Sequence, residues 1–106
     1  MLGTDIAIDL GTYAVKVYVE GKGIVVNEPA VVAVRTATDE VLAVGSKAFD
    51  MLGRTSDQIK VIHPLTMGVI SDFELARYMV NYYIQQLGEK RIIHTHVMPR
   101  AVVSLP

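Results

Sequence analysis

The order of hydrophobic patterns along the chain predicts an α/β domain on a mixed sheet: an antiparallel three-strand meander, a helix crossover and a final parallel strand. Three observations predict it. Apolar residues alternate with polar ones through the first third, with glycine-bearing turns between the runs. One long amphipathic stripe follows later, at helical spacing. A short apolar run then closes the chain, and a strand reached through a helix lies parallel to an earlier strand by a right-handed crossover. The sheet so predicted is incomplete, with an uncovered face and an open edge at its last strand, and the expectation is that more chain finishes it.

Each element has a local cause. Ile6 and Ile8 bracket Ala7 in a strand ending at Asp9. After a glycine turn, Val15, Val17 and Val19 alternate with Lys16, Tyr18 and Glu20, the period of a half-buried strand. Gly21-Lys22-Gly23 is a hairpin signal, and residues 24–27 return as the third strand. Pro29 marks a break, since it offers no N–H to a ladder. Residues 30–66 form a small inserted side lobe: strands over 31–34 and 41–44 about a polar turn, a helix over 46–52 stopped by Gly53, and a strand over 59–63 closed by Pro64. Residues 1–29 and 67–106 make the main body. There Ser71-Asp72-Phe73-Glu74 is a capping box with Ser71 at the N-cap. Ala76, Met79, Val80, Tyr83, Ile84 and Leu87 form one apolar stripe, Gly88 stops the helix, and residues 101–105 are the closing strand.

At 106 residues, 51% hydrophobic and 20% charged, the chain suits one packed domain. A net charge of −1 leaves no electrostatic footprint for nucleic acid. The absence of cysteine excludes disulfides and thiolate metal sites and fits the cytoplasm. No apolar run approaches the roughly 18 residues of a spanning helix. The first five residues lack the basic flank and apolar core of a signal peptide, so a cytosolic protein is expected.

The chemistry centres on Asp9-Leu10-Gly11-Thr12, followed by Tyr13-Ala14-Val15-Lys16. A tight turn with glycine lets backbone N–H groups converge on an anion. The Thr12 hydroxyl adds a donor. Asp9 suits such a site with a hydrated Mg²⁺ between carboxylate and phosphate, because Mg²⁺ keeps its waters and uses few carboxylates. Lys16 stands where its ammonium can reach back. An ordinary hairpin, with Asp9 capping the turn and Lys16 in solvent, uses the same residues.

Ile8-Asp9-Leu10-Gly11-Thr12 resembles the first phosphate loop of the actin, Hsp70 and sugar-kinase superfamily. Residues 21–33 (Gly-Lys-Gly-Ile-Val-Val-Asn-Glu-Pro-Ala-Val-Val-Ala) are similar to MreB and its Mbl-type relatives almost residue for residue. So are residues 41–45, 53–55, 64–65, 68–74 and 99–106, in the same order along the chain. One departure stands out: Tyr13-Ala14-Val15-Lys16 replaces the Ala-Asn-Thr usual in MreB, and a lysine here looks more like actin or the sugar kinases.

The resemblance to the MreB/Mbl family implies the ribonuclease-H-like actin fold, with residues 1–29 and 67–106 as the first half of subdomain IA and 30–66 as an IB-like lobe. It implies ATP and Mg²⁺ as ligands, with Gly11, Thr12, Tyr13 and Lys16 at phosphate and Asp9 at the metal through water. It also implies a filament-forming, cytoplasmic cell-shape protein that organises cell-wall synthesis at the inner face of the membrane. The whole protein would be an ATPase. This chain, without the second phosphate loop and catalytic carboxylate, holds no catalytic residue and is expected to be inactive alone. Its partners would be itself, as a filament or, for this segment, a dimer or swapped oligomer, together with cell-wall synthesis and membrane proteins. Ile92 and Ile93 beside Lys90 and Arg91 resemble a membrane-touching tip, or else begin the next strand. A sugar-kinase-type phosphotransferase and a non-catalytic actin-like scaffold are the alternative functions. His94 and His96 share one face of a predicted strand, but two imidazoles are too few for zinc. Tyr78, Tyr82 and Tyr83 belong to the helix and its flanks, so structural roles are expected of them.

Overall fold

The computed structural model describes residues 5–52, 57–66, 69–89 and 100–104. Strands β1 (Asp5–Leu10), β2 (Ala14–Val19) and β3 (Gly23–Pro29) form the expected antiparallel meander. Alternation sets the faces: Ile6, Ile8 and Leu10 of β1 and Val15, Val17 and Val19 of β2 are all buried. Ala7, Asp9, Lys16 and Tyr18 turn to the opposite, solvent side. Pro29 is the last residue of β3 and lies opposite Ala14, so the strand runs through the expected break. Proline is tolerated there because β3 is an edge strand of this sheet.

The side-lobe sheet comprises β4 (Val32–Arg35), β5 (Val41–Val44) and β6 (Ile59–Ile62), in the antiparallel order β5-β4-β6. Both faces of β4 are covered. Val32 and Val34 join the main core, while Val31 and Ala33 pack with Ala48 against Ala43, Met51, Ile59 and Val61. The lobe thus shares one core and has a small one of its own. Helix α1 (Ser46–Phe49) is shorter than expected, and residues 50–52 are turn; Gly53, its expected stop, lies outside the described residues. Two short strands, β7 (Leu65–Thr66) and β8 (Val69–Ile70), pair in a small hairpin that no periodicity in the sequence announced.

Helix α2 (Phe73–Glu89) buries Ala76, Met79, Tyr83 and Leu87, the centre of the expected stripe, and Met79, Tyr83 and Leu87 join the core formed by the buried face of β1 and β2. Both of its ends differ from expectation. The N-cap is Asp72: its Oδ1 accepts the Leu75 N–H at 3.0 Å. Ser71 is drawn away, its hydroxyl donating to the His63 and Pro64 carbonyls, each at 3.1 Å. At the other end Gly88 lies inside the helix, and it is not among the glycines with positive φ. Burial of Leu87 holds this last turn against the ~1 kcal/mol that an internal glycine costs.

Strand β9 (Arg100–Ser104) follows and pairs in parallel with β1, giving the sheet order β3-β2-β1-β9. That is the mixed sheet expected of the sequence. Expectations for residues 90–99, including Ile92, Ile93, His94 and His96, lie outside the described residues.

Candidate phosphate-binding site

The turn from β1 to β2 is tied at both ends. The Gly11 N–H donates to the Ala14 carbonyl at 2.9 Å, and the Ala30 N–H donates to the Tyr13 carbonyl at 3.0 Å. Gly11 is required by space, since a Cβ there would stand 2.9 Å from the Ala14 carbonyl oxygen. Between these ties, the N–H groups of Thr12 and Tyr13 have no hydrogen-bond partner among the described residues. Thr12 is half-buried and the Tyr13 ring is 82% exposed. Two free, adjacent N–H groups in a fixed turn are the arrangement that receives an oxyanion.

Asp9 and Lys16 flank this turn as a register pair across β1 and β2. Both are exposed, and neither takes part in the ion pairs found among the described residues, Arg35 with Glu40 and Lys60 with Asp39. The same cross-strand row continues to Asn27 on β3 and reaches the register position of Ser104 on β9. The structure therefore brings together all five residues expected at a nucleotide: Asp9, Gly11, Thr12, Tyr13 and Lys16. This chemistry fits a phosphate, with two free donors, one hydroxyl and one cation. A single carboxylate beside them fits a metal that keeps most of its waters.

Behind the turn lies a second polar junction. One oxygen of Glu28, Oε1, accepts both the Tyr83 hydroxyl at 3.0 Å and the Ser46 N–H at 3.1 Å. Gly45 is pressed against them in a positive-φ conformation (φ 70°, ψ −132°), and a Cβ on it would collide with both the Glu28 carboxylate and the Tyr83 hydroxyl. Burial pushes the Tyr83 phenol well above its ordinary range, and the neighbouring Glu28 charge and hydrogen bond add to the shift. Tyr82, edge-on to Tyr83 at 5.2 Å between ring centres, is raised for the same leading reason.

A family model described as MreB/Mbl protein matches residues 3–106. The chain belongs to the MreB/Mbl family. It is 47% identical over 106 residues to the cell shape-determining protein Mbl of Bacillus cereus, covering 100% of this chain and 31% of that protein. It is 41% identical over 110 residues to the cell shape-determining protein MreB of Escherichia coli, again covering 31% of the relative. The crystal structure of MreB5 of Spiroplasma citri bound to ADP superposes with a TM-score of 0.77 at 35% identity, covering 94% of this chain and 28% of that one. The chain thus spans about a third of the length of the relatives it matches, and its mixed sheet is the actin-like fold.

Within this MreB/Mbl chain the sequence singled out the Gly11–Tyr13 turn as a candidate site but missed Glu28, Gly45 and Tyr83 as a unit. Glu28 and Tyr83 are 55 residues apart. The one available signal was Gly45 following an apolar strand, at a point where the chain turns into a helix.

Proposed function

We propose that this chain supplies the first phosphate-binding turn of an ATP-dependent, self-assembling cell-shape protein. The observation that carries the reading is the pair of N–H groups at Thr12 and Tyr13, without a partner among the described residues, in a turn pinned by Gly11 and Ala30. The ADP in the related MreB5 structure, and the cell-shape names of the Mbl and MreB relatives, support it.

In this reading the Gly11–Tyr13 turn binds phosphate oxygens through backbone N–H groups, and the Thr12 hydroxyl adds a further donor. Lys16 contributes a cation that neutralises phosphate charge, and Asp9 orients a metal through its water shell. The bound Mg·ATP supplies the hydrolysable phosphoanhydride. Self-association of the complete protein into a filament then organises cell-wall synthesis at the inner face of the membrane, with Ile92 and Ile93 as the membrane contact.

The test is nucleotide binding by the complete gene product. Titration calorimetry should show ADP binding that Mg²⁺ strengthens, and depletion of the protein should turn rod-shaped cells round. A protein that binds no adenine nucleotide, with or without Mg²⁺, would sink the nucleotide reading. Sedimentation with ATP and with anionic vesicles tests the filament and membrane parts separately.

A further inference from the structure

We propose that Glu28 is a positioning residue that couples the side lobe and helix α2 to the phosphate turn. This rests on the nucleotide reading above and deepens it. Three consecutive residues make three different connections. Glu28 takes the Tyr83 hydroxyl of α2 and the Ser46 N–H of the side lobe on one carboxylate oxygen. Pro29 sits opposite Ala14, the residue that accepts the Gly11 N–H. Ala30 donates to the Tyr13 carbonyl and so closes the far side of the turn.

The Glu28 carboxylate is held from two sides through Oε1. Tyr83 is 1% exposed, so its hydroxyl without Glu28 is a buried donor with no acceptor, at a substantial desolvation cost. Gly45 fills the remaining space and is itself tied to β4's neighbour, its N–H donating to the Val31 carbonyl at 2.9 Å. A displacement of α1 or of α2 at Tyr83 must therefore move Glu28 or break its bonds. A displacement of Glu28 passes along the chain through Pro29 to Ala30, whose N–H holds the Tyr13 carbonyl by a single hydrogen bond. Side-lobe position and phosphate affinity consequently depend on one another.

The experiment compares Glu28→Ala, Glu28→Gln and Tyr83→Phe in the complete gene product. Glutamine keeps an acceptor oxygen at the same reach, whereas alanine and the phenylalanine change each remove a partner. Amide exchange is followed by mass spectrometry without nucleotide, in peptides carrying Gly11, Ala30 and Ser46. Tyr83→Phe and Glu28→Ala should speed exchange at all three amides by about tenfold, the scale of one lost hydrogen bond, while Glu28→Gln stays near the parent. ADP affinity should fall by about tenfold in Glu28→Ala and recover in Glu28→Gln. Faster exchange at Ser46 with Gly11 and Ala30 unchanged, and ADP affinity intact, would show a purely local brace and overturn the coupling. If Glu28→Ala does not fold, Tyr83→Phe decides alone, because its ring is retained and only the hydroxyl donor to Glu28 is lost. An unmodified protein that fails to bind ADP overturns the nucleotide reading instead, and the exchange measurement, made without nucleotide, tells the two failures apart.

Discussion

Asp9 and Lys16 face each other directly across β1 and β2, on the solvent side of the sheet, yet they form no ion pair with each other. Opposite charges at a register pair ordinarily support a sheet by a few tenths of a kcal/mol up to about one. Among the described residues neither group has a partner, and the turn beside them has two N–H donors likewise unused, so both charges are open to a third party.

The first prediction separates their roles. Asp9→Ala should remove the strengthening of ADP binding by Mg²⁺, leaving affinity the same with metal or with chelator. Lys16→Ala should keep the Mg²⁺ effect and weaken affinity by about tenfold, the loss of one charge-assisted contact near solvent. Calorimetry of each variant with and without Mg²⁺ checks both. A full Mg²⁺ effect in Asp9→Ala removes Asp9 from the metal site.

The cap of α2 gives a second prediction. Asp72→Ala should destabilise the fold by about 1 kcal/mol, because the Leu75 N–H loses its acceptor. Glu74→Ala should stay within about 0.5 kcal/mol of the parent, because Glu74 is exposed. Urea melts of the two variants decide which residue caps the helix, and a larger loss from Glu74 would restore the capping box.

The misreading of that cap shows where local reasoning stops. Ser71 and Asp72 are both good capping residues, and nothing local chooses between them. The choice is made by the Pro64 carbonyl, seven residues back, which accepts the Ser71 hydroxyl. The same limit hid the Glu28–Tyr83 bond and the β7–β8 hairpin, whose two-residue strands are too short to carry a period. What was legible was periodic. Val15, Val17 and Val19 fixed a face of β2 because alternation has only two outcomes, and that left Lys16 on Asp9's side. The stripe from Ala76 to Leu87 was legible because twelve residues of helix repeat one angle, whereas Gly88 depended on packing around Leu87.

Gly45 carries a third prediction. Its φ of 70° with ψ of −132° is a conformation that residues with a Cβ rarely adopt, and any Cβ strikes Glu28 and Tyr83. Gly45→Ala should cost about 3 kcal/mol or more, combining backbone strain with a displaced carboxylate. Circular-dichroism melts measure it. A loss under about 1 kcal/mol would mean that the junction yields easily, which also weakens the coupling proposed for Glu28.

Tyr83 supplies a prediction in pH. Its folded-state pKa is raised above the ordinary value of 10.0, so the folded protein holds a proton that the unfolded chain releases. The stabilisation is fully present below pH ~10 and declines as pH rises beyond it, by about 1.4 kcal/mol per pH unit for one proton. Urea melts between pH 9 and 11 should show this slope in the parent. In Tyr83→Phe the slope should be shallower by about one proton, with Tyr82 contributing the remainder of the tyrosine effect. Equal slopes in the two proteins would place the Tyr83 hydroxyl in solvent.

The last prediction concerns the sheet face that α2 does not cover. Ala7, Tyr18 and Ile24 form one cross-strand row there, with Tyr18 49% and Ile24 63% exposed. Two large apolar side chains side by side on a flat sheet favour contact with another surface. The sheet also ends, among the described residues, in β3 on one side and β9 on the other, and edge strands are templates for pairing. The 106-residue polypeptide expressed by itself is therefore expected to dimerise or form larger oligomers at micromolar concentrations. Tyr18→Lys with Ile24→Lys should shift it toward monomer, since charges on that face oppose stacking without touching the core. Sedimentation velocity over a hundredfold range of concentration reads the shift, and thermal melts of the variant confirm that the fold is kept. If the double variant associates as strongly as the parent, the edges drive assembly rather than the face. A parent that sediments as a single monomer at high micromolar concentration would show that neither surface is adhesive.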